Sequence, residues 1–136
     1  MSLLAVIFVT GCTGGGGGAS ATDEQKIHAV LNQYETAMKS MDGEKLAELA
    51  TYPLAMDEVL IETKEEVVLY FTIAFLVIDE IHEFKLTHRV ITLNGNEAVV
   101  ESVAQSKITA LGETVEAEEQ HIMLLRKVGN SWKISG

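Results

Sequence analysis

Residues 27–50 constrain the fold more than any other part of this chain. Ile27, Val30, Leu31, Tyr34, Ala37, Met38 and Met41 recur at the three-and-four spacing that sets them on one side of a helix. Asp42 and Gly43 interrupt the pattern, and Leu46, Ala47, Leu49 and Ala50 resume it on a second, shorter helix. A bent helix pair with one apolar face needs a cover, and most of the chain beyond residue 55 alternates as strands do. The expectation is an α+β domain with helices packed on a sheet.

Local signals divide the rest. Thr22 and Gln25 have the form of a capping box, which starts the first helix near Asp23 and carries it to about Met41. Asp42 is a suitable N-cap for the second helix, which ends near Thr51, before Tyr52-Pro53. Residues 56–62 read as a short strand. Thr63 to Glu66 forms a second capping box, opening a third helix through VVLYFTIAFLVI. That segment is apolar nearly all round from Val67 to Ile78, yet shorter than the roughly 20 residues of a membrane span, and acids flank it. It is expected to be buried between the sheet and either the other helices or a second subunit. Four strands follow at about residues 83–93, 97–111, 114–127 and 132–135, with turns at Asn94-Gly95-Asn96, Gly112-Glu113 and Gly129-Asn130. Short turns make an antiparallel meander, and strands this long are expected to bend strongly, with bulges.

The N-terminus reads differently. An apolar run from Leu3 to Val9 leads into Val9-Thr10-Gly11-Cys12, which resembles the lipobox of secreted lipoproteins. The resemblance implies a signal peptide over residues 1–11 and acylation of Cys12. Residues 13–21, TGGGGGASA, then read as a flexible tether spanning about 15–18 Å. The competing reading is a buried N-terminal strand with an ordinary core cysteine. The organisation expected is signal peptide 1–11, acylated cysteine and tether 12–21, and a folded domain over 22–136, lipid-anchored on the extracytoplasmic side.

Composition excludes several partners. Ten basic against twenty acidic residues give a formal charge of −10, which argues against nucleic acid and against anionic lipid beyond the anchor itself. A single cysteine excludes an internal disulfide and a cysteine-based zinc site. No cofactor is expected.

The order of elements resembles the NTF2-like (SnoaL-like, cystatin-like) α+β fold over residues 23–136. Tyr34 and Ala37 on the first helix carry the resemblance with Asp42, the hairpin Gly95-Asn96-Glu97-Ala98-Val99-Val100 and the closing Gly129-Asn130-Ser131-Trp132-Lys133-Ile134. It implies a cone of three N-terminal helices on a strongly curved antiparallel sheet, a pocket on the concave face, and frequent homodimers through the outer face. In ketosteroid isomerase, a member of the fold, a tyrosine matching Tyr34 helps form an oxyanion hole. A catalytic aspartate some two dozen residues later falls here at Asp57 or Glu58. The fold also serves non-catalytic binders, so it does not settle function.

The candidate pocket residues are Tyr34, Tyr52, His88, Ser102 and His121. Tyr34 lies on the helix face the sheet must cover. His88 alternates with Phe84, Leu86 and Val90, and His121 with Ala117, Met123 and Leu125, so period two puts both on the apolar face. A bulge would reverse either placement. Ser102 shares a face with Ala98, Val100 and Ala104. His28 falls off the apolar face and is expected in solvent. No histidine has a partner at metal-ligand spacing.

Three functions are open. The domain binds a small apolar or amphipathic molecule, or a protein, without catalysis. Alternatively it is an isomerase- or dehydratase-type enzyme using Tyr34 with Asp57 or Glu58. Or it is a structural dimerisation domain whose cavity is filled, with less than roughly 300 Å³ left open.

Overall fold

A computed structural model describes residues 15–136, with side chains from Asp23 onward. Cys12 and the signal peptide expected over 1–11 lie outside the described residues. Helix α1 spans Gly15–Lys39. Its backbone is helical well before the expected start near Asp23, and residues 15–21, expected as coil, belong to it. A helix nucleated by the packed turns from Ile27 onward gains a hydrogen bond for each residue added, although each glycine costs about 1 kcal/mol relative to alanine.

Met41, at φ 53°, turns the chain into α2, Gly43–Glu48, where Asp42 accepts the Lys45 backbone N–H at 3.1 Å. Strands β1 (Leu54–Met56) and β2 (Val59–Ile61) then form a hairpin with Asp57 and Glu58 in its turn. A single strand was expected here. Asp57 takes φ 54°, a left-handed conformation aspartate tolerates better than most residues, and this reverses the chain after Met56. The three helices are therefore not consecutive, because the hairpin precedes α3, Lys64–Phe75. The capping box at Thr63 and Glu66 forms as expected, each side chain bonding the other's backbone N–H.

The third helix is not enclosed by its own chain. Val67 is fully buried, whereas Leu69, Ile73, Leu76 and Val77 are each more than half exposed. A segment apolar all round does not specify which side is covered. The sheet and α2 reach only one side, and among the described residues nothing covers the other.

Strands β3 (Ile78–Asn94), β4 (Glu97–Ala110), β5 (Glu113–Val128) and β6 (Ser131–Ile134) form the antiparallel meander in sequence order. Leu111 and Gly112, at φ 53° and 83°, make the two-residue reversal between β4 and β5. Three register irregularities interrupt β3, and they let so long a strand curl. Ile27, Val30 and Leu31 of α1 pack with Leu86, Ala98, Val100, Met123 and Leu125 of the concave face. Trp132 closes the far end of this core, donating its indole N–H to Asp23 at 3.2 Å.

One irregularity decides the site. Thr87 pairs with Val103 and Val90 with Glu101, so β3 advances three residues while β4 advances two. The extra residue flips the alternation. Ile91 and Leu93 return to the inner face opposite Val100 and Ala98, and Val90 turns outward at 56% exposure. His88 sits inside the bulge at φ 52° and is exposed, not on the pocket wall where unbroken alternation would put it.

Candidate functional site

A cavity of about 210 Å³ opens between α1, α2, the β1–β2 hairpin, α3 and the concave sheet. Leu46, Ala50, Leu54, Val67, Phe71 and Met123 supply much of its apolar wall. Three side chains bring polar atoms to it: Tyr34, Asp57 and His121. It is smaller than the roughly 300 Å³ of common drug-sized sites, but an apolar cavity of about 150 Å³ admits benzene. The space therefore suits a single ring or a short chain.

Tyr34 reaches the cavity from the covered face of α1, its ring edge-on to Phe84 with centroids 5.7 Å apart. Burial, reinforced by Tyr70, pushes its phenol up to about 12. The hydroxyl is thus a neutral donor at physiological pH, and among the described residues it has no hydrogen-bond partner. His121 comes from β5, half-buried. Burial holds its imidazole below the usual value of 6.5, against the opposing charge of Glu119, which favours the neutral ring. Ser102 pairs with His121 across β4 and β5. Its hydroxyl is buried without a partner among the described residues, and it lies off the cavity surface.

The other candidates separate. Tyr52 donates its hydroxyl to the Ala47 carbonyl at 2.8 Å, which ties it to α2, and it does not line the cavity. Its phenol is raised by partial burial and by the charge of Glu65. His88 is excluded by the bulge. Asp57 lines the mouth from the hairpin turn, and its neighbour Glu58 does not. Of the residues singled out from sequence, the structure therefore brings together Tyr34, His121 and Asp57, with Ser102 behind the wall.

A polar cluster outside the candidate residues joins β3 to α1. Arg89, the residue after His88 in the bulge, turns toward α1 and donates to Glu35 at 2.9 Å and to Asn32 at 3.0 Å. It also bonds the Leu86 carbonyl at 2.9 Å and His28 Nδ1 at 3.0 Å. Glu35 further accepts the Leu86 backbone N–H at 2.6 Å. Burial and the Arg89 charge depress His28, whose Nδ1 must be unprotonated to accept from a guanidinium. The signal was present: His28, Asn32 and Glu35 share one stripe of the helix, beside the apolar face. This cluster fastens the bulge to α1 outside the cavity.

Among the described residues, no group of three metal-ligating side chains lies close enough to hold an ion, and no helix is long and apolar enough to cross a membrane. No sequence-family profile and no curated protein matches the chain. Solved structures do. A candidate scytalone dehydratase from Novosphingobium aromaticivorans superposes with a TM-score of 0.74 at 14% identity, covering 88% of this chain and 83% of its own. A candidate dehydratase of the NTF2-like family from Streptomyces avermitilis gives 0.71 at 18%, covering 85% and 93%. An NTF2-like protein with a cystatin-like fold, also from Novosphingobium aromaticivorans, gives 0.71 at 14%, covering 88% and 82%. The chain thus has the NTF2-like, cystatin-like α+β fold. At such identities the likeness extends to the fold alone.

Proposed function

We propose that this domain binds one small, largely apolar molecule in the helix–sheet cavity and does not transform it. The observation that carries this reading is the Tyr34 hydroxyl. It is held neutral in an apolar wall, with no partner among the described residues, beside open volume. Its oxygen faces the open space of the cavity, so a ligand carrying one polar atom can take up the hydrogen bond that water otherwise makes there. A purely structural domain fits the modest volume but leaves the Tyr34 hydroxyl without a purpose.

The Val9-Thr10-Gly11-Cys12 motif supports anchoring of the domain at the extracytoplasmic face of a membrane through acylated Cys12. Cys12→Ala should then move the protein from membrane to soluble fractions. Val99, Ile122 and Leu124, exposed on the outer sheet face, support a homodimer.

One observation favours an enzyme instead: Asp57 shares the cavity with Tyr34 and His121, and two of the similar folds are candidate dehydratases. Asp57 could then act as base and Tyr34 as donor to a developing enolate. Against this, Asp57 sits exposed on a turn, and the cavity lining offers Tyr34 no second carboxylic acid as a fellow donor. Native mass spectrometry of the protein purified under mild conditions tests the binding reading. A retained small molecule is expected, and Tyr34→Phe should weaken its retention by about threefold to tenfold. An empty cavity in both forms, with no rebinding of ring-sized compounds, would refute it.

A further inference from the structure

We infer that the occupant of this cavity is a small hydrophobic amine, bound as a cation with its ammonium at Asp57 and its apolar body among the helix and sheet side chains. This rests on the binding reading above and adds the ligand's charge to it.

The distribution of charge around the cavity carries the argument. Among the described side chains that line it there is one carboxylate, Asp57, and no lysine or arginine. Asp57 is exposed at the mouth, on the turn it shares with Glu58, while Leu46, Leu54 and Val67 deeper in the wall are buried. A carboxylate ligand would meet like charge there with no cation to offset it. A neutral ligand would leave the one charged side chain of the lining unused. An ammonium group meets opposite charge at the mouth and apolar surface inside.

The other polar groups fit the same ligand. An ammonium carries three donors and no acceptor. The Asp57 carboxylate offers it an acceptor at the mouth, and the Tyr34 hydroxyl oxygen and the neutral His121 ring line the same cavity with acceptors of their own, the Tyr34 O–H proton staying with water. The rings of Tyr34 and Phe71 line the same space, and aromatic faces attract cations. A formal charge of −10 raises the local concentration of cations around the whole domain. At about 210 Å³ the cavity suits an amine built on a single ring or a short branched chain.

Three probes of one size and shape test this by calorimetry on the intact protein: benzylamine, benzyl alcohol and benzoate. Benzylamine should bind tighter than benzyl alcohol by about tenfold, the value of one charge-assisted hydrogen bond at a partly solvated site, and benzoate weakest. Asp57→Asn should erase the preference, weakening benzylamine until it binds no tighter than benzyl alcohol. Asparagine tolerates the left-handed backbone at this position, so the variant should fold, and circular dichroism checks that it does. Glu58→Gln, off the lining, should keep most of the preference. Raising the salt should narrow the gap between amine and alcohol. If the alcohol binds as tightly as the amine, or if Asp57→Asn keeps the preference, the inference falls while the binding reading stands. If none of the three binds, both fall.

Discussion

Removing Glu35 should damage this fold more than removing its ion-pair partner Arg89, although the two carry equal and opposite charge. The Glu35 and Arg89 side chains are 22% and 13% exposed, and their charged atoms lie 2.9 Å apart. Glu35 also holds the Leu86 backbone N–H, just before the bulge. Glu35→Ala therefore takes the counter-charge from Arg89, which keeps Asn32, His28 and the Leu86 carbonyl as partners, and at the same time strands the Leu86 backbone donor. Breaking a fully buried pair costs about 3–5 kcal/mol, and partial solvation here lowers that to about 2–4. In Arg89→Ala the carboxylate keeps the Leu86 donor and some access to water, so the cost should be about 1–2 kcal/mol. Urea denaturation of both single variants and the double variant measures the coupling, expected at about 1–2 kcal/mol. Glu35→Gln, which keeps an acceptor for Leu86, should fall between wild type and Glu35→Ala. If the two alanine variants cost the same, or add to within about 0.5 kcal/mol, the bulge does not depend on this clasp and the argument is wrong.

Ser102→Ala removes a buried hydroxyl that has no partner among the described residues, and should stabilise the fold by about 1 kcal/mol, or roughly 4 °C in Tm. A loss of that size in thermal unfolding would mean the hydroxyl is satisfied. Leu111 holds a left-handed turn position while 81% exposed, so Leu111→Asn should also stabilise by about 1 kcal/mol; a destabilised variant would contradict the turn geometry. His28 and His121 both titrate below 6.5 in the fold, His28 through burial and Arg89 against Glu24, His121 through burial against Glu119. The unfolded chain therefore binds more protons near pH 6. Their contribution is fully present above the unfolded value and fades as pH falls through the folded one. Stability should rise as pH climbs through the region just below 6.5, and a His28→Gln, His121→Gln double variant should flatten that slope. An unchanged slope would assign the dependence to other groups. Val99 pairs with Leu124 on the outer sheet face, so Val99→Lys should turn a micromolar dimer into a monomer by sedimentation; a wild-type monomer would remove the proposed interface.

Local features were legible in neighbouring residues. The Thr63–Glu66 capping box, the Asp42 cap and the hairpin turns at Gly95, Gly112 and Gly129 depend on residues a few positions apart, and each forms where those residues stand. The apolar stripe of α1 likewise marks its buried face, with Ile27, Leu31 and Ala37 enclosed. Alternation placed His121 and Ser102 on the inner side of unbroken strands. Features that depend on pairing across the chain emerge in the folded molecule and not before. The one-residue bulge between Thr87 and Val90 exists because β3 must curl around α1. It exposes His88, turns Arg89 to Glu35 and moves the inner face from Val90 to Ile91. The reversal at Asp57, which brings that carboxylate to the cavity, depends on β1 pairing with β2. Which side of α3 is covered, and how much space remains beside Tyr34, follow from how the helices settle on the curved sheet. Packing of that kind is a sum over residues distant in sequence, and no short window of the chain contains it.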